Sequence, residues 1–402
     1  MKDHISKLLI YSIFGLASFP LIPLHWYSWY MVAYLGFALV AWMMMGFPIS
    51  RKRFWMVVGI GAFFIVAMIR YSLGEPNSGG PILLQKWVLM VAIPFGLSLA
   101  PINYNAALLR RWLDYFAVFL LIAIVWWNGR ILFEILSHQV QFERLMHQYS
   151  LGFIYREALG KYFDLHPTYV ALLCWTAVLA LLDKIRTSAG SCDKWKVLAF
   201  VLAAQATVTM ARMPFAAFVV ALIVLVPYRE LLKRAWRIVP FFLLGLLLAL
   251  PRYNEFFDQS EAKNSVSIRQ DIYECAVPMA KEHFLIGLGP GNVFPKLMEC
   301  YGDLPDGTAM SQRLNVHNQW LDSLLQAGVF GLLALLLSLF IPFVQFFRKE
   351  KLYAAFLVLV ALSFFTENIL HRQMGLVWFV MVQSLFLLAL ASNNTEQIRP
   401  SS

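Results

Sequence analysis

The sequence is short of charged residues. Asp, Glu, Lys and Arg make up 14% of its 402 residues, whereas about one quarter of a typical soluble domain is charged. A shortage of this size excludes an ordinary soluble protein. Internal repeats and low-complexity tracts are also absent from the sequence, which excludes a repeat array.

Two familiar kinds of chemical site are missing as well. Asp303 and Asp306 lie in a Pro-Gly loop that is typical of a turn, and no cluster of Asp and Glu has the spacing of a metal site. The glycine run at 287–291 has no βαβ unit around it, so it is not a dinucleotide fingerprint. We therefore expect neither a metal ion nor a cofactor.

Hydrophobic residues dominate the chain instead. They make up 60% of it, and the mean hydropathy is +0.65. Apolar runs of membrane-spanning length recur and predict an all-α, polytopic integral membrane protein with about twelve transmembrane helices. No small-residue cleavage site follows the first run, so we interpret it as an uncleaved helix. The predicted helices begin near Leu8, Tyr30, Trp55, Trp87, Leu113, Pro167, Val197, Pro214, Ile238, Leu321, Leu352 and Gly375.

The net charge of +10 would indicate a nucleic-acid partner in a soluble protein, but here its distribution predicts topology. Short basic loops lie at 51–53, 110–111, 184–196, 229–237 and 348–351. Because basic loops stay in the cytoplasm, both termini are predicted to be cytoplasmic. The long loops, 129–166 and 252–316, are predicted to lie on the outer side. We expect no nucleic-acid partner.

The chain divides into three regions. Residues 1–251 hold about nine predicted spans, residues 252–316 form a helical loop domain, and residues 317–402 hold about three spans and a cytoplasmic tail. Cys275 and Cys300 both lie in the loop domain, and the sequence leaves a disulfide and two free thiols equally open. An amphipathic helix is predicted there from the spacing of Ile268, Ile272, Cys275, Ala276 and Met279.

Four cations lie on the predicted outer side near the membrane edge: Lys86, Arg212, Arg269 and Arg372. A single Arg in such a place is often an anchor that extends its charge to the head groups. Several cations from separate segments suit a multiply charged anion instead. Arg in particular offers a planar fork of donors that matches phosphate oxygens.

The pair His317-Asn318 lies where the loop domain meets the tenth predicted span. Polar residues at this depth are costly and often functional. His317 is therefore a candidate general base, with a wetted surface histidine as the alternative. Gly328 and Gly331, further along this helix, would let a neighbouring helix approach closely.

These residues resemble the O-antigen ligase family, within the wider group of O-antigen ligases, O-antigen polymerases and related O-oligosaccharyltransferases. The family pattern is His-Asn, nine residues, Gly, two residues and Gly, and here it consists of His317-Asn318, Gly328 and Gly331. The resemblance covers roughly the second half of the chain. Its spacing is shared in part by the polymerases.

Further segments extend the resemblance. Residues 267–292 are similar to the family's outer-loop Arg helix and glycine turn, and residues 209–212 are similar to its small-polar-Arg turn. Met213-Pro214 then departs from the small residue usual in the family. Lys86 and Arg372 match weaker positions.

The resemblance implies a glycosyltransferase of the bacterial inner membrane with a periplasmic active site. Its donor would be a glycan on undecaprenyl pyrophosphate, and its acceptor a sugar hydroxyl of the lipid A core. We expect a metal-independent monomer embedded in membrane lipid. The implied catalytic residues are His317 as the base and Arg212 and Arg269 as a pyrophosphate clamp. The implied substrate-binding residues are Lys86, His166, Asn318 and Arg372.

Two other functions stay open. An O-antigen polymerase would use the same chemistry with a lipid-linked acceptor. A lipid-oligosaccharide flippase would catalyse no reaction, but a transporter is expected to hold its ionisable residues at the bilayer midplane between broken helices. Here the candidate residues are predicted to lie at the outer rim.

Overall fold

A computed structural model of the chain describes residues 2–46, 49–74, 77–137, 151–188, 190, 192–227, 265–304 and 308–396. Within these ranges the secondary structure is helical, and no β-strand occurs there. The prediction of an all-α membrane protein is confirmed.

The helices of the first half are α1 (Lys2–Leu16), α2 (Leu24–Met45), α3 (Arg51–Ser72), α4 (Gly79–Trp87), α5 (Leu89–Leu99), α6 (Ala106–Ser137), α7 (Leu151–Phe163), α8 (Pro167–Thr187), α9 (Asp193–Val208) and α10 (Arg212–Leu225). The second half holds α11 (Ser265–Glu282), α12 (Val293–Gly302), α13 (Thr308–Ser311), α14 (Gln319–Phe346), α15 (Lys351–Ser363) and α16 (Gln373–Glu396), with a 3-10 helix at Ile369–His371.

Seven helical segments in the described part are long and apolar enough to cross a membrane, and α10 and α15 are shorter apolar helices. The total of about twelve spans stays a prediction. The span predicted from Ile238, the basic loop at 229–237 and the loop-domain residues 252–264 lie outside the described residues, as does Asp306.

Two helices form the centre of the bundle. In α8 and α16 the apolar windows are 83% buried, against 22% in α2. In water, a helix that is apolar on all sides must be covered by other helices. In a bilayer, lipid can cover the faces that other helices leave open. The peripheral helices thus leave large apolar side chains for lipid, and α8 and α16 carry the ends that build the site described below.

The loop domain has a small core of its own. Ile272, Cys275 and Ala276 on α11 are buried, as the predicted pattern requires. Cys275 forms a disulfide with Cys300 of α12, with Cα atoms 5.9 Å apart, so the bonded alternative is the one found. The core also includes Leu325 of α14, which joins the loop domain to the membrane bundle.

The predicted role of Gly328 needs a correction. Helix α14 breaks at Ala327 and Gly328, where Gly328 adopts φ 65° and ψ −166°. The segment that approaches this break is the glycine turn after α11 rather than another helix. Val329 N donates to Phe284 O at 2.8 Å, and Leu288 N donates to Leu325 O at 2.7 Å. A Cβ at Gly328 would collide with the Leu285 carbonyl, so only glycine fits.

The end of α3 and the residues just before α4 contact the other side of the same glycine turn, at 286–290. Arg70 Nε donates to Ile286 O at 2.9 Å, and its Nη2 donates to Gly287 O at 3.2 Å. Asn77 Nδ2 donates to Pro290 O at 2.9 Å. These contacts fix the position of α11, and therefore of Arg269, relative to the bundle.

Candidate functional site

His317 and Glu367 meet at the start of α14. His317 Nδ1 lies 3.6 Å from Glu367 Oε2, with 29% of the His317 and 15% of the Glu367 side chain exposed. The distance allows an ion pair and slightly exceeds a hydrogen bond; such contacts are often long before substrate binds. His317 Nε2 has no hydrogen-bond partner among the described residues. Glu367 can therefore orient the ring through Nδ1, and Nε2 is available to a ligand.

The backbone around His317 explains how it is held. His317 has φ 46°, a left-handed conformation that is uncommon outside glycine. The next residue, Asn318, caps α14, and its side-chain oxygen accepts from Trp320 N at 3.0 Å and Leu321 N at 3.1 Å. Asn318 N donates to Asn368 Oδ1 at 2.8 Å. The cap turns His317 out of the helix and towards Glu367.

Asn318 thus has a structural role that the sequence did not predict. A side-chain oxygen shared by two backbone N–H groups satisfies donors that a helix start leaves unpaired. Its Nδ2 lies 3.4 Å from the Tyr273 hydroxyl of α11, so the cap also touches the loop domain. A contact between Asn318 and substrate stays a prediction.

The surroundings of Glu367 favour its charged form. Burial raises the pKa of the Glu367 carboxyl, but its contact with His317, the electrostatic effect of the nearby His166 and the hydrogen bond from Thr168 outweigh burial and hold the pKa below its ordinary value. Thr168 Oγ1 donates to Glu367 Oε1 at 3.2 Å. Glu367 therefore presents a carboxylate to His317 at neutral pH.

His166 is the residue before α8, and Pro167 occupies the first position of the helix as predicted. Burial lowers the pKa of His166; Glu367 opposes this shift, and the cations Arg156 and Arg372 add to it. The net direction is downward, so the His166 imidazole is neutral at pH 7.

A second histidine–carboxylate pair lies nearby. His371 Nε2 is 2.7 Å from Asp322 Oδ2, and the Asp322 side chain is 1% exposed. Gln319 and Gln326 also donate to this carboxylate, at 3.5 and 3.3 Å. No pattern in the sequence predicted a role for Asp322, His371 or Glu367. An acid in the first turn of an otherwise apolar helix was the available signal for Asp322.

A cavity of about 1180 Å³ opens beside these pairs. Three of the predicted substrate-binding residues, Lys86, His166 and Arg372, line it together with His371. The other charged or aromatic side chains of its wall are His25, Trp126, Trp127, Arg156, Glu157, Lys161, Tyr162, Phe163, Asp164 and Tyr169. The structure therefore brings part of the predicted site together around one space.

The two predicted clamp residues lie elsewhere. Arg269 is half-buried on α11, four residues before Tyr273, and so shares with it the helix face that reaches Asn318. It forms no ion pair with the described residues. Arg212 is exposed at the start of α10, a helix that packs against α8 and α15. Neither arginine belongs to the cavity lining.

A comparison with protein families gives a match over part of the chain. The model of the O-antigen ligase family matches residues 197–336. This stretch includes Arg212, Arg269, His317, Gly328 and Gly331. A search of curated proteins found no match.

Proposed function

We propose that the chain, whose residues 197–336 match the model of the O-antigen ligase family, ligates O-antigen onto the lipid A core. The donor is the glycan on undecaprenyl pyrophosphate. The observation that carries the proposal is the family-matched His317, with Nδ1 facing the Glu367 carboxylate at 3.6 Å.

The reaction is a single displacement at carbon. An acceptor hydroxyl attacks the anomeric carbon of the first donor sugar and forms a new C–O bond. The bond between that carbon and the pyrophosphate oxygen breaks, and its electron pair leaves with the lipid pyrophosphate. The hydroxyl proton goes to His317 Nε2.

His317 has the properties that the base requires. A hydroxyl is a weak nucleophile, so a positioned base speeds its attack on the order of a hundredfold to ten-thousandfold. The Glu367 carboxylate orients the ring and stabilises the imidazolium that forms after proton transfer, the role that a carboxylate plays in hydrolase triads. The partial exposure of His317 leaves room for an acceptor.

Arg212 and Arg269 are the proposed pyrophosphate clamp. A departing pyrophosphate gathers negative charge, and preformed cations stabilise it. Arg269 is half-buried without an ion pair among the described residues, a costly placement for a charge unless a ligand compensates it. With cations supplied by side chains, we expect added EDTA to leave the rate unchanged.

The proposed location is the bacterial inner membrane, with the site on the periplasmic side. Two features support it. The basic loops predict a cytoplasmic position for the opposite helix ends. The disulfide between Cys275 and Cys300 belongs to an oxidising compartment, which the periplasm is.

The distribution of charge disfavours the flippase. The described spans His25–Met45 and Gln373–Ala391 contain no Asp, Glu, Lys or Arg, and α14 contains only Asp322, in its first turn. A transporter that binds its cargo at the midplane is expected to hold ionisable residues there.

One reconstitution tests the proposal. The purified protein in lipid vesicles receives lipid-linked O-antigen as the donor and lipid A core as the acceptor. We expect a ligated product and released undecaprenyl pyrophosphate. Elongation of the lipid-linked glycan without use of the lipid A core would identify a polymerase, and movement of the donor across the bilayer without product would identify a flippase.

A further inference from the structure

Two cations in the wall of the cavity beside His371 have no partner in the part of the chain that the structure describes. Lys86 and Arg372 are exposed in its wall, and neither forms a side-chain hydrogen bond or an ion pair with the described residues. Among the described residues, Lys161 contacts the ring of Tyr162, whose centre lies 5.2 Å from its Nζ. Unpaired cations that converge on one space favour an anionic ligand.

The carboxylates of the lining do not cancel this charge. Four lining side chains are permanent cations, and two, Glu157 and Asp164, are acids. Both acids are exposed on α7 or directly after it. The cavity therefore keeps a positive excess even with its histidines neutral.

The wall also offers a surface for a sugar. Trp126 is exposed in the lining, next to the buried Trp127. An exposed indole ring provides a large apolar face with negative charge at its centre, which suits the C–H face of a sugar ring. A charged sugar would use both features of this cavity.

The cavity lies close to the proposed base and apart from the proposed clamp. His166 and Tyr169 line it, and the intervening Thr168 bonds to Glu367. Arg212 and Arg269 are not in its lining. Every lining residue falls outside residues 197–336, the stretch that the family model matches.

Resting on the proposed function, we propose that this cavity is the acceptor subsite and binds a phosphate-bearing sugar of the acceptor through Lys86 and Arg372. The family-matched residues would bind the lipid pyrophosphate, which is common to the donors. The cavity, which is built from the rest of the chain, would bind the phosphate-bearing sugar that is particular to the acceptor. A phosphate group could reach it from the acceptor or from the donor pyrophosphate, and the test separates these two sources.

The primary test is binding in the absence of donor, so it does not depend on turnover. The affinity of the purified full-length protein is measured for lipid A core with its core phosphates and for lipid A core from which a phosphatase has removed them. Loss of one charge-assisted hydrogen bond weakens binding about tenfold. We expect Lys86→Gln and Arg372→Gln each to weaken binding of the phosphorylated acceptor by about that factor.

The wild type should bind the dephosphorylated acceptor about as weakly as the variants bind the phosphorylated one. Neither substitution should weaken binding of the dephosphorylated acceptor further. Lys281→Gln is the matched control. Lys281 is exposed on α11 and does not line the cavity, so this variant should bind like the wild type. Unchanged melting temperatures confirm that the variants fold.

Kinetics supply the second arm. With the reconstituted wild type active, the variants should raise KM for the phosphorylated acceptor and leave KM for the donor unchanged. A higher KM for the donor, or equal losses with both acceptors, would overturn the inference while ligation itself stands. No product with the wild type would instead refute the proposed function, and the binding result would still decide whether the cavity holds phosphate.

Discussion

Glu367 shows how a carboxylate can stay charged although it is largely covered. Burial alone would favour its neutral form, and only the surrounding histidines and Thr168 reverse that direction. The chain brings these groups from positions 166–168, 317 and 367. The sequence could predict His317 from its neighbours, but Glu367 becomes its partner only because α15, which packs against both α8 and α14, leads into the segment that carries it.

The first prediction concerns this carboxylate. Glu367→Gln should lower kcat on the order of tenfold to a hundredfold, because a neutral amide cannot stabilise the imidazolium. Donor binding should persist. Glu299→Gln, which removes an exposed carboxylate on α12, is the control and should react like the wild type. A normal kcat in Glu367→Gln would remove the residue from the mechanism.

The same substitution has an independent effect on stability. The folded pKa of Glu367 is lowered, so its charged form stabilises the fold above the ordinary carboxyl pKa of about 4.3, and this contribution is lost as pH falls through the folded value. The fall in melting temperature on acidification should therefore be smaller in Glu367→Gln than in the wild type.

The second prediction concerns Arg269. Arg269→Ala should reduce donor binding and transfer at least tenfold, and Arg269→Lys should restore little, because an ammonium lacks the planar fork. Lys281→Ala, further along the same helix, should have no effect. Full activity of Arg269→Lys would indicate a simple charge contact, and full activity of Arg269→Ala would exclude a role in the clamp.

At the scale of elements, several helix starts were predictable to within two residues, and the irregularities of the helices were not. Hydropathy located the starts of α8, α10, α14 and α15 because lipid selects apolar runs. The break in α14 depends on contacts with the distant glycine turn at 287–291, which Arg70 holds in place. The residues next to Gly328 in the sequence therefore do not predict the break. The sequence showed that Gly328 occupies a glycine position of the family pattern. It did not show that a side chain there would collide with the Leu285 carbonyl.

The third prediction tests that break. Gly328→Ala should destabilise the protein, because a side chain at this positive φ costs about 1–3 kcal/mol and its Cβ would also meet the Leu285 carbonyl. The docking of α11 should loosen, which limited proteolysis can detect. Gly59→Ala in α3, where a Cβ meets open space, is the control and should melt like the wild type. An equal melting temperature for Gly328→Ala would refute the constraint.

At the scale of the whole molecule, composition was enough to predict a membrane protein, whereas the orientation inferred from the charge asymmetry stays a prediction. The cavity could not be predicted, because its wall comes from residues as far apart as Pro20 and Met374. Such a space exists only after α6, α7 and α16 have packed around it.

The fourth prediction concerns orientation. In a background where Cys174 and Cys192 are replaced by Ser, a membrane-impermeant maleimide should label Lys281→Cys once the outer membrane is permeable. It should label Gly190→Cys only after the inner membrane is opened as well. The reverse pattern would place the loop domain in the cytoplasm and contradict the proposed periplasmic site.

His317 is proposed to accept the proton of the acceptor hydroxyl. The most direct measurement is single-turnover transfer by His317→Ala, with donor affinity measured on the same preparation. We expect the transfer rate to fall on the order of a hundredfold to ten-thousandfold while donor affinity stays at the wild-type value, since the proposed clamp of Arg212 and Arg269 is left intact. Transfer by His317→Ala at the wild-type rate would contradict the account.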